Sequence, residues 1–170
     1  YWMWQEDRIW MHSGDYQWIT PSVPHQNMGI TYLTTPSSID GNFKEVPNVY
    51  NYVLDIAYVG STKIEKINIH NNVQKIFFSL SKCFGLRNIR TGWYFSKTPD
   101  KKLELLIGSA KYYNYYAQAV AEHFINKYDI DIVYKTLRPI QEEVCEQFNL
   151  IPSDVVWLAT TNDPKFEKFK

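Results

Sequence analysis

Ser79-Leu80-Ser81-Lys82-Cys83-Phe84-Gly85-Leu86-Arg87-Asn88-Ile89-Arg90-Thr91-Gly92 follows directly on the apolar run Ile76-Phe77-Phe78. A lysine just behind an apolar strand is partly desolvated, which favours the free amine needed to form an imine with an aldehyde. Arg90 offers a planar fork matched to phosphate oxygens, and Ser79 adds a hydroxyl one turn ahead of the lysine. Gly85 and Gly92 allow close backbone approach around it. Taken singly these residues are commonplace, since a lysine after a strand is usually a solvated surface group. Their joint spacing is the informative part.

A second group lies upstream in Asp55-Ile56-Ala57-Tyr58. It ends a Val- and Tyr-rich strand expected over Val49 to Ile56, and ligands of open α/β sheets bind at the carboxyl ends of strands. A buried aspartate is costly unless it meets a positive partner. A pyridinium nitrogen is one such partner, and holding it protonated makes the ring an electron sink. Tyr58 is placed to donate to a ring oxygen. The plainer reading of this pair is a loop-capping aspartate beside an interior tyrosine, and it is Lys82 downstream that favours the first.

Further strands are expected at Gly29 to Thr35, Gln74 to Leu80 and Thr91 to Ser96, with a turn over Pro36 to Asn42. No two-residue hairpin signal joins any pair, so an α/β sheet is expected in place of a meander. Thr98-Pro99 reads as a helix start, followed by Leu103, Leu106, Ile107 and Ala110 at helical spacing. Ala117, Val120, Ala121 and Phe124 continue that period to Lys127, with Asn114 expected to split it into two helices. A further amphipathic stretch (Ile140, Val144, Phe148) follows Pro139, and Asp154 to Thr161 reads as a late strand. Strands come first and helices after, with a second domain beginning near Asp129.

Eighteen basic and eighteen acidic residues cancel, leaving no electrostatic footprint for nucleic acid or an anionic membrane. No apolar run approaches the length of a membrane span, and nothing at the start reads as a signal peptide. Cys83 and Cys145 are far apart and lack metal spacing, which points to free thiols and a cytoplasmic setting. His12, His25, His70 and His123 show no ligand spacing. The aromatic clusters at Tyr1 to Trp4 and Tyr112 to Tyr116 have no basic stripe beside them and read as packing or interface.

Residues from about Trp10 to Trp93 resemble fold-type I pyridoxal-phosphate enzymes of the class I/II aminotransferase superfamily. The lysine motif quoted above is similar to that family's cofactor-lysine signature, and Asp55-Ile56-Ala57-Tyr58 is similar to its Asp-x-Ala-Tyr element. Thr34-Thr35-Pro36-Ser37-Ser38-Ile39-Asp40-Gly41 resembles the Thr-Ser-Pro-Asn-Asn-Pro-Asp-Gly segment of the alliinase and tryptophan-aminotransferase branch. The resemblance implies that Lys82 holds pyridoxal 5'-phosphate as an imine and then moves protons. It implies that Asp55 binds the pyridine nitrogen, Tyr58 the ring oxygen, and Ser79 and Arg90 the phosphate. The family's asparagine that also contacts the ring oxygen falls at Ser38, a shorter side chain.

The fold implied is part of an aspartate aminotransferase-like large domain with a mainly parallel sheet over residues 1–128. The beginning of a smaller α+β domain follows over 129–170. The activity implied is transfer of an amino group between an amino acid and a 2-oxo acid by a homodimer; the alternatives are a C–S lyase of the alliinase kind or a non-catalytic remnant. Family members are much longer, and their glycine-rich phosphate loop, ring-stacking aromatic and substrate-carboxylate arginine are not visible here. The expectation is a piece of a longer enzyme.

Overall fold

β-Branched and aromatic residues concentrate in four short runs between residues 30 and 96, and each becomes a strand of one sheet. The computed structural model describes residues 16–18, 30–44, 52–63, 67, 69–89, 91–99, 101–109 and 114–169. The five strands lie side by side in sequence order: β1 (Tyr16–Trp18), β2 (Ile30–Thr34), β3 (Tyr52–Asp55), β4 (Val73–Ser79) and β5 (Gly92–Ser96). β1 to β4 run parallel, and β5 is antiparallel to β4. Both faces of the parallel part are covered, as parallel sheets require. Leu33, Tyr52, Leu54 and Val73 form a buried cluster on one side; Tyr32, Val53 and Phe77 form another, with Tyr94 packed against it.

Register decides what stands at the carboxyl edge. Thr34 pairs with Asp55, and Asp55 with Phe77, so these three side chains share one face at the ends of β2 to β4. Directly after β4 the backbone turns into the short helix α1 (Leu80–Cys83), which carries Lys82. Gly92 lies opposite Ser79, where a side chain would strike the Phe78 carbonyl oxygen at 2.2 Å. The glycine of the motif therefore lets β5 lie close beside the end of β4.

The helical half begins with α2 (Lys101–Glu104), which loosens into a π-turn over Leu105–Ser109. The described helix starts at Lys101, just after the expected Thr98-Pro99 cap. Asn114 does interrupt the helical period as expected: its Oδ1 accepts from the Ala117 N–H at 3.0 Å and caps α3 (Tyr115–Lys127). Ala117 and Ala121 are buried, and Ala121 packs on Leu80 and Cys83 beneath the lysine helix. Tyr115 and Tyr116 are exposed on α3, so burial in the core does not account for them.

α4 (Ile132–Phe148) runs through Pro139 instead of starting after it. The proline forfeits one backbone hydrogen bond, but the helix is pinned at neighbouring positions. Arg138 bonds the Ser153 carbonyl at 2.8 Å, and Gln141 Nε2 lies 2.9 Å from the Val155 carbonyl and 2.6 Å from that of Leu158. The helix ends at Asn149 in left-handed conformation, whose N–H bonds back to the last turn.

Residues 154–161 are not one strand. Two short strands, β6 (Ile151–Pro152) and β7 (Ala159–Thr160), pair antiparallel and frame a loop in which Val155 and Val156 are buried. The buried Gln141 amide satisfies carbonyls that a strand would have paired with a neighbour. β1 has no counterpart among the strands expected from sequence. No helix among the described residues is long and apolar enough to cross a membrane.

Gln141→Leu should therefore loosen the 153–158 loop. Losing its hydrogen bonds to the Val155 and Leu158 carbonyls, which would keep only the N–H of Leu158 and of Ser153, costs about 2 kcal/mol, or roughly 4–8 °C in Tm for a protein of this length. Thermal unfolding followed by circular dichroism checks it; an unchanged midpoint contradicts the clamp.

Candidate functional site

The ends of β3 and β4 bring together residues that the sequence separates. Asp55 closes β3, and its Oδ1 accepts from the Ala57 N–H at 2.9 Å, which turns the backbone sharply. Its Oδ2 accepts from the Tyr32 hydroxyl on the neighbouring strand. Burial pushes the Asp55 carboxyl above the usual carboxylate range; the Tyr32 hydroxyl, the Ala57 N–H and the Lys82 charge pull the other way. Tyr58 follows, at the head of a single 3-10 turn over Val59–Ser61.

Lys82 arrives from the other side. Its Nζ stands 5.0 Å from the centre of the Tyr58 ring, within reach of a cation–π contact. The backbone around it is held closely. A side chain at Gly60 would meet Cys83 Cβ at 1.9 Å, so only glycine lets the 3-10 turn sit against α1. Ser61 Oγ donates to the Lys82 carbonyl at 2.9 Å and accepts from the Trp157 indole N–H at 2.9 Å. One buried hydroxyl thus ties the lysine helix to the turn after Asp55 and to the 153–158 loop.

Ser79 is the cap of α1: its Oγ accepts from the Ser81 N–H at 3.1 Å and keeps its own proton to donate. Cys83 beside the lysine is buried, its Sγ faces the Ser79 carbonyl at 3.5 Å, and burial pushes the thiol up to about 12. It packs and does not react. Ser38 stands exposed on the turn after β2, whose backbone is closed by Ser37 N to Asn42 O and Gly41 N to Ser37 O, both 2.9 Å. Arg90 lies outside the described residues. Arg138 is engaged with Glu142 at 2.8 Å and with the Ser153 carbonyl.

Two participants were not singled out in the sequence. Tyr32 alternates with Thr34 along β2, so both share the face of Asp55 once register is known. Ser61 gives no signal beyond being a small residue after the Asp-x-Ala-Tyr element. The arrangement suits a protonated aromatic nitrogen. Both hydrogen-bond donors to Asp55 are neutral, and its charge is countered through space by Lys82. Thr34 Oγ1, in register with Asp55, is buried without a hydrogen-bond partner among the described residues.

No protein-family profile matches the sequence, and no curated protein does. Solved structures do match. L-threonine-O-3-phosphate decarboxylase from Porphyromonas gingivalis superimposes with a TM-score of 0.56 at 16% identity, over 79% of this protein and 47% of that one. A protein assigned as a histidinol-phosphate aminotransferase from Erwinia carotovora atroseptica gives 0.55 at 18% identity, over 75% and 43%. The fold is that of part of an aspartate aminotransferase-like domain. The 170 residues span less than half the length of either structure.

Burying Asp55 has a consequence for stability. Because its folded-state value is raised, the folded protein holds a proton that the unfolded state releases near the ordinary aspartate value of about 3.9. Stability therefore falls as pH rises from there through the raised value, and the cost is present in full only above that value. Asp55→Asn removes it, and the Tyr32 hydroxyl can accept from the new amide. Without added ligand the variant should melt at a higher temperature than wild type at pH values above the raised one, and the gap to wild type should close towards pH 4. A variant less stable than wild type above the raised value contradicts the assignment of a costly carboxylate.

Proposed function

We propose that the protein is a piece of a pyridoxal-phosphate-dependent aminotransferase, with residues 1–128 from the large cofactor domain and 129–170 from the start of the small one. The observation that carries the reading is the meeting of Lys82 with Tyr58 and the half-buried Asp55 at the carboxyl edge of a parallel sheet. The fold of the two similar structures, one named as a decarboxylase and one as an aminotransferase, supports the same class.

Pyridoxal phosphate, when bound, supplies an aldehyde for covalent attachment and a ring that takes up the electrons of a broken substrate bond. The protein's own residues do the rest. Asp55 holds a proton on the pyridine nitrogen by keeping a negative charge beside it. Tyr58 donates to the ring oxygen, and Ser79 and Arg90 hold the phosphate, with Ser38 as a weaker neighbour of the ring. Lys82 Nζ is the attachment point. When free, it would be the base that takes a proton from the substrate carbon and returns one. The Ser61 bond to the Lys82 carbonyl holds the lysine backbone still while the amine changes partner. Amino acids and 2-oxo acids are the substrates, and a second copy of the protein completes the dimer.

The similarity of Thr34 to Gly41 to the alliinase branch supports a second reading, in which the same groups cleave a C–S bond in the substrate. Purified protein incubated with pyridoxal phosphate and reduced with borohydride should carry a pyridoxyl-phosphate mass on the peptide containing Lys82, and Lys82→Ala should abolish it. Absence of the adduct, or an adduct that survives the substitution, removes both readings. Product analysis then separates them: a 2-oxo acid with an aminated acceptor, or pyruvate with ammonia.

A further inference from the structure

The Tyr32–Asp55 hydrogen bond joins two residues 23 positions apart, and it lies beneath the group that the proposed reading assigns to the pyridine nitrogen. Tyr32 is 4% exposed and belongs to the buried cluster with Val53 and Phe77, so its ring has little freedom to turn away. An O–H donor to a carboxylate stabilises the ionised form and not the protonated one. A phenylalanine would fill the same space and give no such help.

We propose that Tyr32 is a positioning residue that keeps Asp55 ionised inside the sheet, and so sets the lowest pH at which the site can hold a protonated pyridine ring. This role rests on the proposed reading of Asp55 for its functional meaning, but the ionisation of Asp55 can be measured without it.

The surroundings leave the role to Tyr32. On β3 itself the Ala57 N–H holds the other carboxylate oxygen at 2.9 Å and does not titrate. On β4 the residue in register with Asp55 is Phe77, and Lys75, two residues earlier, has its Nζ 5.4 Å from the centre of the Tyr94 ring. From α1 the Lys82 charge acts on Asp55 through space, and that amine is the group consumed when an aldehyde is attached. Tyr58 from the 3-10 turn faces Lys82. Once Lys82 is engaged, the side-chain hydrogen bond on Asp55 among the described residues is that of Tyr32.

The test is a carbon-13 NMR titration of the Asp55 carboxyl in protein without cofactor, its resonance assigned by loss in Asp55→Asn. A hydrogen bond to a charged group is worth about 1.5–3 kcal/mol, so Tyr32→Phe should raise the midpoint by about one pH unit or more. In parallel, the acidic limb of pyridoxal-phosphate capture on Lys82 should move up by a similar amount, and Tyr32→Phe should add no further pH shift in an Asp55→Asn background. An unmoved carboxyl midpoint in a folded Tyr32→Phe protein overturns the proposal, even if its melting temperature falls. Should that variant not fold, 3-fluorotyrosine placed at position 32 alone keeps the shape and donates more strongly. It should lower the Asp55 midpoint, and no change overturns the proposal as well. If wild type captures no cofactor at any pH, the proposed function fails while the carboxyl titration still decides the role of Tyr32.

Discussion

A carboxylate at the end of a buried strand is the constraint around which this structure is arranged. Removing an ion from water costs several kcal/mol after relaxation, and a hydrogen bond to a charged group returns about 1.5–3 kcal/mol. Asp55 has two such bonds, from Tyr32 and from the Ala57 N–H, so the cost is offset in part. A sheet whose purpose was stability alone would do better with an apolar residue there. Retaining the charge fits a site that waits for a cation, the usual exchange of stability for function.

The lysine side is organised through its backbone. Gly60 admits the 3-10 turn against Cys83, Ser61 holds the Lys82 carbonyl, and Ala121 packs beneath the same short helix. None of these contacts involves the amine. The backbone of Lys82 is therefore fixed to the fold independently of its side chain.

Much of the sheet was legible because strand signals are local. The runs expected at 29–35, 49–56, 74–80 and 91–96 became β2 to β5, with β3 described from Tyr52 and the other ends within a residue or so of their expected places. Lys82, Asp55 and Tyr58 were legible for another reason: their spacing resembles a motif, and the motif already encodes the register. Tyr32 and Ser61 were not legible, since their partners lie 23, 21 and 96 residues away and depend on which strands become neighbours. The 153–158 loop misled for a related cause. Its Val-Val-Trp run has strand composition, yet its carbonyls are satisfied by a glutamine on α4. Pro139 misled because local propensity disfavours it in a helix, whereas packing on both sides carries the helix through.

The turn after β2 is closed by the far end of the described residues. Phe43 N–H bonds Asp154 at a separation of 111 residues, Asp154 N–H bonds Asn42 at 112, and the Ser153 hydroxyl bonds the Asp40 carbonyl at 113. Contacts so distant in sequence form late, because the intervening residues must first be drawn into a loop. Synthesis runs from the amino end, so Asp55, Tyr58 and Lys82 leave the ribosome well before the segment that fastens the Pro36–Lys44 turn. A nascent polypeptide thus has Asp55, Tyr58 and Lys82 early and the fastened turn after β2 last, so that turn is completed only after translation of the 150s.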